Sequence, residues 1–166
     1  MDLLLDIFGF ASVLISGVAR TAQCLTLGSI AFLALVAVPL GQGAADALKL
    51  APRTIQLTRR FAWALLISVG VLLAMQIAIL AGTAEITIGE ALGGDYAIAQ
   101  SVRIAGALLM LALLHGKAPS VPLLLALALV DLGAGVATSH AAARIEDRGL
   151  LIGITAPHHA GAAVWI

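Results

Sequence analysis

The chain has 166 residues, of which 61% are hydrophobic, 11% charged and 4% aromatic, with nine basic and nine acidic side chains in balance. A water-soluble domain carries about 25% charged residues, so a surface this poor in charge suits lipid and not water. The balance gives no basic stripe of the kind that reads nucleic acid, and the single cysteine, Cys24, leaves no intrachain disulfide and no CxxC site.

Five apolar segments follow one another, and with a mean hydropathy of +1.10 they predict an all-α, polytopic transmembrane helix bundle forming one domain over 1–166. The first segment runs from Ile7 to Leu40, with Ile15 to Leu40 as its spanning part and the earlier residues at the interface or extending the helix. The opening MDLLLDIFGF lacks the basic start of a cleavable signal peptide, so the first helix reads as an uncleaved insertion signal. Residues 41–60 hold glycines, Pro52 and most of the charge, and read as a loop. The second segment is Phe61 to Ala81. Residues 82–96 are Gly-rich and acidic, with room for a short interfacial turn of helix. The third segment is Ile98 to Leu114, and 115–120 is a tight turn containing Pro119. The fourth is Val121 to Thr138, followed by the polar stretch 139–149. The fifth begins near Leu150 or Pro157 and is still apolar at Ile166.

At ~20 apolar residues per crossing, these segments predict four complete spans plus the start of a fifth. A barrel reading fails, because barrel strands alternate apolar and polar residues and PLLLALALV (122–130) does not. Lys49, Arg53, Arg59, Arg60 and Lys117 fall in the first and third connections, while the second holds Glu85, Glu90 and Asp95. Basic loops stay in the cytoplasm, so the N-terminus is expected outside.

Charges inside spans are expensive and need an account. Arg103 lies about six residues below the outer end of its segment and Asp131 about eight below the outer end of the next. At 1.5 Å per residue their depths differ by roughly 3 Å, which predicts a structural ion pair between them. The alternative has Arg103 reaching to the interface and Asp131 neutral or facing water. Arg20 reads as an interface anchor, Met75, Met110 and Cys24 as packing residues, and His115 as a residue favoured by the negative helix C-terminus.

His140 closes the fourth segment, and His158 and His159 open the fifth if Pro157 occupies its first turn. Two helix ends at one face bring His140 near one of that pair, and imidazole nitrogen suits copper and zinc. Side chains of adjacent helical residues point ~100° apart, so His158 and His159 do not share one centre. The alternative is that these histidines are interfacial and bonded to water or backbone. No Walker, GxSxG or HExxH motif is present, and no enzyme activity is expected.

Thr138-Ser139-His140-Ala141-Ala142-Ala143, with His158-His159-Ala160-Gly161-Ala162-Ala163-Val164-Trp165-Ile166, resembles the copper resistance D family of bacterial inner-membrane proteins. In that family one helix ends in a Gly-His-Ala-like motif, and the next begins with a His and carries a Trp seven residues later, the spacing of His158 and Trp165. Tyr96 to Arg103 looks like a divergent form of the family's segment before its third helix. Ser139 stands where the family usually has Gly, and the family's Gly-Gly-Leu would follow Ile166. The resemblance implies further helices beyond this N-terminal part. It also implies copper transport or tolerance at the inner membrane, His140 and His158 as copper ligands, and His159 as a second choice. A periplasmic copper-binding protein or a membrane complex would then be a partner, besides the lipid bilayer. Two competing expectations are a b-type haem held by two histidines, and a structural subunit of a larger membrane complex that binds no metal.

Overall fold

The computed structural model describes residues 2–41, 49–84, 86–116, 119–139 and 147–165, and among them every regular element is helical. Helix α1 (Asp2–Phe32) passes through a π-helical segment (Leu33–Ala37) into a last turn, Val38–Gly41. Then come α2 (Leu50–Thr83), the short α3 (Ile88–Leu92), α4 (Asp95–His115), α5 (Val121–Ala137) and α6 (Arg148–Trp165). Three helical stretches are long and apolar enough to cross a membrane: Gly9–Gly41, Leu50–Thr83 and Asp95–His115. Helix α5 is equally apolar but shorter, at 17 residues.

The π segment has a local cause. Pro39 has no N–H to give Leu35, and its ring clashes with that carbonyl in a regular helix. The backbone widens just before it, with Val38 N–H donating to Leu33 O, five residues back. The first helix thus runs on through Pro39 to Gly41 instead of stopping.

Helix α2 starts eleven residues earlier than the expected Phe61, at Leu50. Pro52 is its third residue, inside the first turn, where a missing N–H leaves no bond unmade. The charged stretch after it is helical too, with Arg59 Nη2 donating to Leu114 O at 2.7 Å. That carbonyl belongs to the last turn of α4, whose C=O groups have no partner within the helix. The polar side chains deeper in α2 are satisfied by their own backbone. Thr58 Oγ1 donates to Thr54 O at 2.8 Å and Ser68 Oγ to Ala64 O at 2.7 Å, which removes bare hydroxyls from an apolar surface.

Between α2 and α4, Thr87 and Glu90 form a capping box. Thr87 N–H donates to Glu90 Oε2 at 2.8 Å, and Glu90 N–H donates to Thr87 Oγ1 at 3.3 Å. The expected turn of helix in this connection is α3.

Packing follows the helical period. On α4 the buried residues are Ala97, Gln100, Arg103, Gly106, Ala107, Met110, Leu111 and Leu114, spaced by three or four residues except for the adjacent pairs Gly106–Ala107 and Met110–Leu111. Large apolar side chains cover the outside as well: Phe10, Leu35, Ile67, Leu129 and Ile154 are all exposed. A helical surface that is apolar on both faces is the form taken in lipid. Gly28 carries the contact of α1 with α6, because a Cβ there would run into Ala163 O.

Candidate functional site

Four of the buried polar side chains, Gln23, Gln100, Arg103 and Asp131, converge on one cluster. Arg103 on α4 and Asp131 on α5 are both buried, with Nε donating to Oδ1 at 3.1 Å. Arg103 lies eight residues from Asp95, the first residue of α4, and Asp131 six from Ala137, the last of α5. At 1.5 Å per residue they sit about 12 and 9 Å from those helix ends. Antiparallel neighbours joined by a short turn bring residues of similar depth together, and here the two depths match to within about 3 Å.

Two glutamines complete the pair. Gln23 on α1 donates through Nε2 to Asp131 Oδ2 at 2.8 Å and to the Asp131 carbonyl at 2.9 Å. It comes this close because Gly135 has no side chain: a Cβ there would lie 2.5 Å from Gln23 Nε2. On α4, one turn before Arg103, Gln100 Oε1 accepts from Arg103 Nη1 at 3.2 Å. Gln100 Nε2 donates in turn to the Tyr96 hydroxyl at 2.8 Å. A single chain of hydrogen bonds therefore ties α1, α4 and α5 together. In lipid, where burial of apolar surface does not draw helices together, such bonds and small-residue contacts hold a bundle.

Arg20 lies one turn before Gln23 on α1. Its Nη1 is 3.3 Å from His159 Nε2 on α6. A guanidinium can only donate, so Nε2 is the acceptor and the ring proton sits on Nδ1. That Nδ1 is buried and has no hydrogen-bond partner among the described residues, and the same holds for Arg103 Nη2.

The histidines lie differently from the expectation that Pro157 opens the last helix. Helix α6 begins at Arg148, with Pro157 inside it, so His158 and His159 lie about 15 Å along it. The Asp147 carbonyl accepts from Leu151 N–H at 2.9 Å at the start of the helix, and Pro157, inside it, has no N–H to give Gly153. His158 is exposed and His159 half-buried, with ring centroids 6.2 Å apart and the planes tilted by 49°. His140 lies outside the described residues. Ser139 before it is buried, and its Oγ donates to Val136 O at 2.6 Å. Among the described residues no three His, Cys, Asp or Glu side chains gather as a metal site.

The chemistry of the donors separates the three histidines as copper ligands. His159 offers Nε2 to Arg20, and a guanidinium charge at 3.3 Å opposes a cation at that nitrogen. His159 therefore fits copper poorly. The exposed ring of His158 has no hydrogen-bonded guanidinium beside it among the described residues and fits better. Of the other soft or basic groups, Met110 is fully buried in the core and Cys24 half-buried. His115 Nδ1 pairs with Leu111 O at 2.7 Å at the end of α4.

Gln23, Gln100 and Tyr96 are the members of the cluster that the sequence reading did not connect. Their signal is spacing: Gln23 follows Arg20 by three residues, and Gln100 precedes Arg103 by three, each on the same helical face. No protein-family model, no curated protein and no solved structure matches this chain.

Proposed function

We propose that this chain is the membrane-embedded part of a bacterial inner-membrane protein that binds copper ions at its periplasmic face and passes them toward the cytoplasm. Four helices cross the bilayer in this reading, α6 enters it as a fifth, and the N-terminus is outside. The distribution of Lys and Arg between the connections supports that orientation. His158 and His140 are the ligands, and copper is the cargo.

The observation that carries the proposal is the exposed imidazole of His158 on α6, next to a histidine that α1 holds toward the interior. The resemblance of the surrounding residues to the copper resistance D family supports the same reading. The buried Arg103–Asp131 pair is assigned a structural role beneath the binding site, since a guanidinium repels a cation.

The test is metal content and an absorption spectrum on detergent-purified protein expressed with ample copper, beside a His140→Ala/His158→Ala variant. About one copper per chain is expected by the two-ligand assignment, and its loss from the variant. A Soret band lost in the variant would replace the copper reading with b-type haem. Protein carrying neither metal nor chromophore would overturn both and leave a structural subunit of a membrane complex.

A further inference from the structure

A groove of about 590 Å³ runs between α1, α2 and the last turn of α6, within the roughly 300–1,000 Å³ of small-ligand sites. Gly28 and Ser29 of α1 form part of its wall, and their small side chains leave the space. Along the first helix the lining extends from Cys24 to Val36, about 18 Å of helix. One leaflet of hydrocarbon, half of a bilayer core, is about 15 Å thick. The groove is open on the outside, where the lining residues Leu35, Leu57 and Trp165 are exposed. Its polar groups make no call for a polar ligand. The Thr54 hydroxyl donates to Leu50 O at 2.9 Å, and the Ser29 hydroxyl can be met by its own helix, as those of Thr58 and Ser68 are. Cys24, half-buried, behaves as a small apolar group.

Apolar walls alone would not select one lipid, because every tail in a bilayer is equally apolar. The charge beside the groove does select. Lys49, Arg53 and Arg60 are four and seven residues apart, so they share one face of α2, and all three are exposed. Leu57, four residues after Arg53 and three before Arg60, stands between the two arginines and lines the groove. The basic stripe therefore runs along its lip. Residues 50–84 include no Asp or Glu, and among the described residues none of the three basic side chains is in an ion pair. The long apolar run of α2 begins at Phe61, which also lines the groove. The groove thus passes from the level of the arginines, where headgroups lie, into the hydrocarbon, and that is the shape of an amphiphile with a negative head.

We propose that this groove binds one anionic phospholipid, with an acyl chain lying along α1 and the phosphate held at Arg53 and Arg60. Arginine pairs with phosphate through two parallel N–H donors, and basic pockets between spanning helices take anionic headgroups. The site uses neither His140 nor His158. It rests on the bundle being in a bilayer and not on the copper reading.

The experiment is native mass spectrometry of the whole chain, delipidated in detergent and titrated with phosphatidylglycerol or with phosphatidylcholine of the same acyl chains. One phosphatidylglycerol per chain should be retained saturably, and phosphatidylcholine more weakly. Arg53→Gln/Arg60→Gln should weaken phosphatidylglycerol about 25-fold, at about fivefold for each basic residue near a membrane surface. These exposed side chains make no hydrogen bond among the described residues, so the variant should keep its helix content by circular dichroism. Ser29→Phe, which fills the groove, should weaken both lipids, and Ala31→Leu takes its place should that variant unfold. Equal retention of the two lipids by wild type would overturn the proposal, leaving an unselective lipid shell. Unchanged phosphatidylglycerol binding in the folded arginine variant would overturn it too. Unchanged binding in a folded groove-filling variant would overturn it in favour of a headgroup on the basic stripe alone. A lipid-free dimer would overturn it in favour of a second copy of the chain in the groove.

Discussion

Replacing Asp131 by Leu strands a buried guanidinium. Arg103 loses its only carboxylate, and the Gln23 amide loses one of its two acceptors. Removing one partner of a buried ion pair costs about 3–5 kcal/mol. At about 2–4 °C per kcal/mol for a chain of this size, the midpoint should fall by roughly 6–20 °C. The reverse change, Arg103→Met, is milder. A stranded carboxylate can take up a proton and become neutral, whereas a stranded guanidinium cannot lose one. The loss there is about 1–3 kcal/mol, that of an unsatisfied buried group. The double variant Arg103→Met/Asp131→Leu has no buried charge at this point and should recover most of the loss, as paired replacement by apolar residues does. The assay is thermal loss of helical circular dichroism in detergent for all four proteins. A double variant whose loss equals the sum of the singles would show no coupling and refute the pair as a stabilising unit. Equal losses for the two singles would refute the protonation argument.

Other perturbations probe the same packing. Gly135→Ala puts a Cβ 2.5 Å from Gln23 Nε2, on a side chain held by two hydrogen bonds. It should cost about 1–3 kcal/mol, with partial rescue by Gln23→Ala, read by the same thermal scan. Gly28→Ala meets backbone at Ala163, which cannot swing aside. Spin labels on α1 and α6 should therefore move apart, while Gly17→Ala, with open space around it, should leave the distance unchanged. Glu90 titrates below the ordinary glutamate range because Thr87 N–H, and then the Thr87 hydroxyl, donate to its carboxylate. Its folded value is lowered, so the capping box contributes above the ordinary value and is lost as pH falls through the lowered one. Side-chain NMR of Glu90 should show that low titration, and Thr87→Val, which removes the hydroxyl and keeps the backbone N–H, should raise it only part of the way to the ordinary range.

The segments that set the fold are legible because each is a long apolar run, and the predicted limits of α4 and α5 agree with the observed ones to within three residues. The start of α2 is not legible. Pro52 and four nearby charges carry a loop's composition, but a proline in a first helical turn breaks nothing, and Arg59 gains a partner only when α4 is beside it. The first helix ends at Gly41, one residue past the expected Leu40, but the five-residue π segment ahead of Pro39 is announced by no apolar period. In the site, the depths of Arg103 and Asp131 can be counted along the chain, so their proximity follows from helix geometry. The contact of Arg20 with His159 spans 139 residues and depends on how α6 lies against α1. It was hidden further by reading Pro157 as a helix start.

A joint between helices and a ligand site make different demands on the same side chains. A joint is best served when every donor meets an acceptor, because a half-satisfied buried network costs more than an apolar contact. The contacts of Asp131 with Arg103 and Gln23, and those of Gln100 with Arg103 and Tyr96, come near that condition, with Arg103 Nη2 the buried donor left over among the described residues. They account for the association of α1, α4 and α5 without any further role. Arg20 and His159 do not meet it. They add a second guanidinium and leave His159 Nδ1 buried without an acceptor among the described residues, on the side where Gly28 and Ala163 already bring α1 and α6 together. Polar expense beyond what packing requires is the mark of an intramembrane site. That excess lies on the α1–α6 side of the cluster, so Arg20 separates the two roles better than Asp131 does. Changing Asp131 dismantles the joint and everything that depends on it, whereas changing Arg20 leaves the joint in place and removes only the charge that the joint does not use.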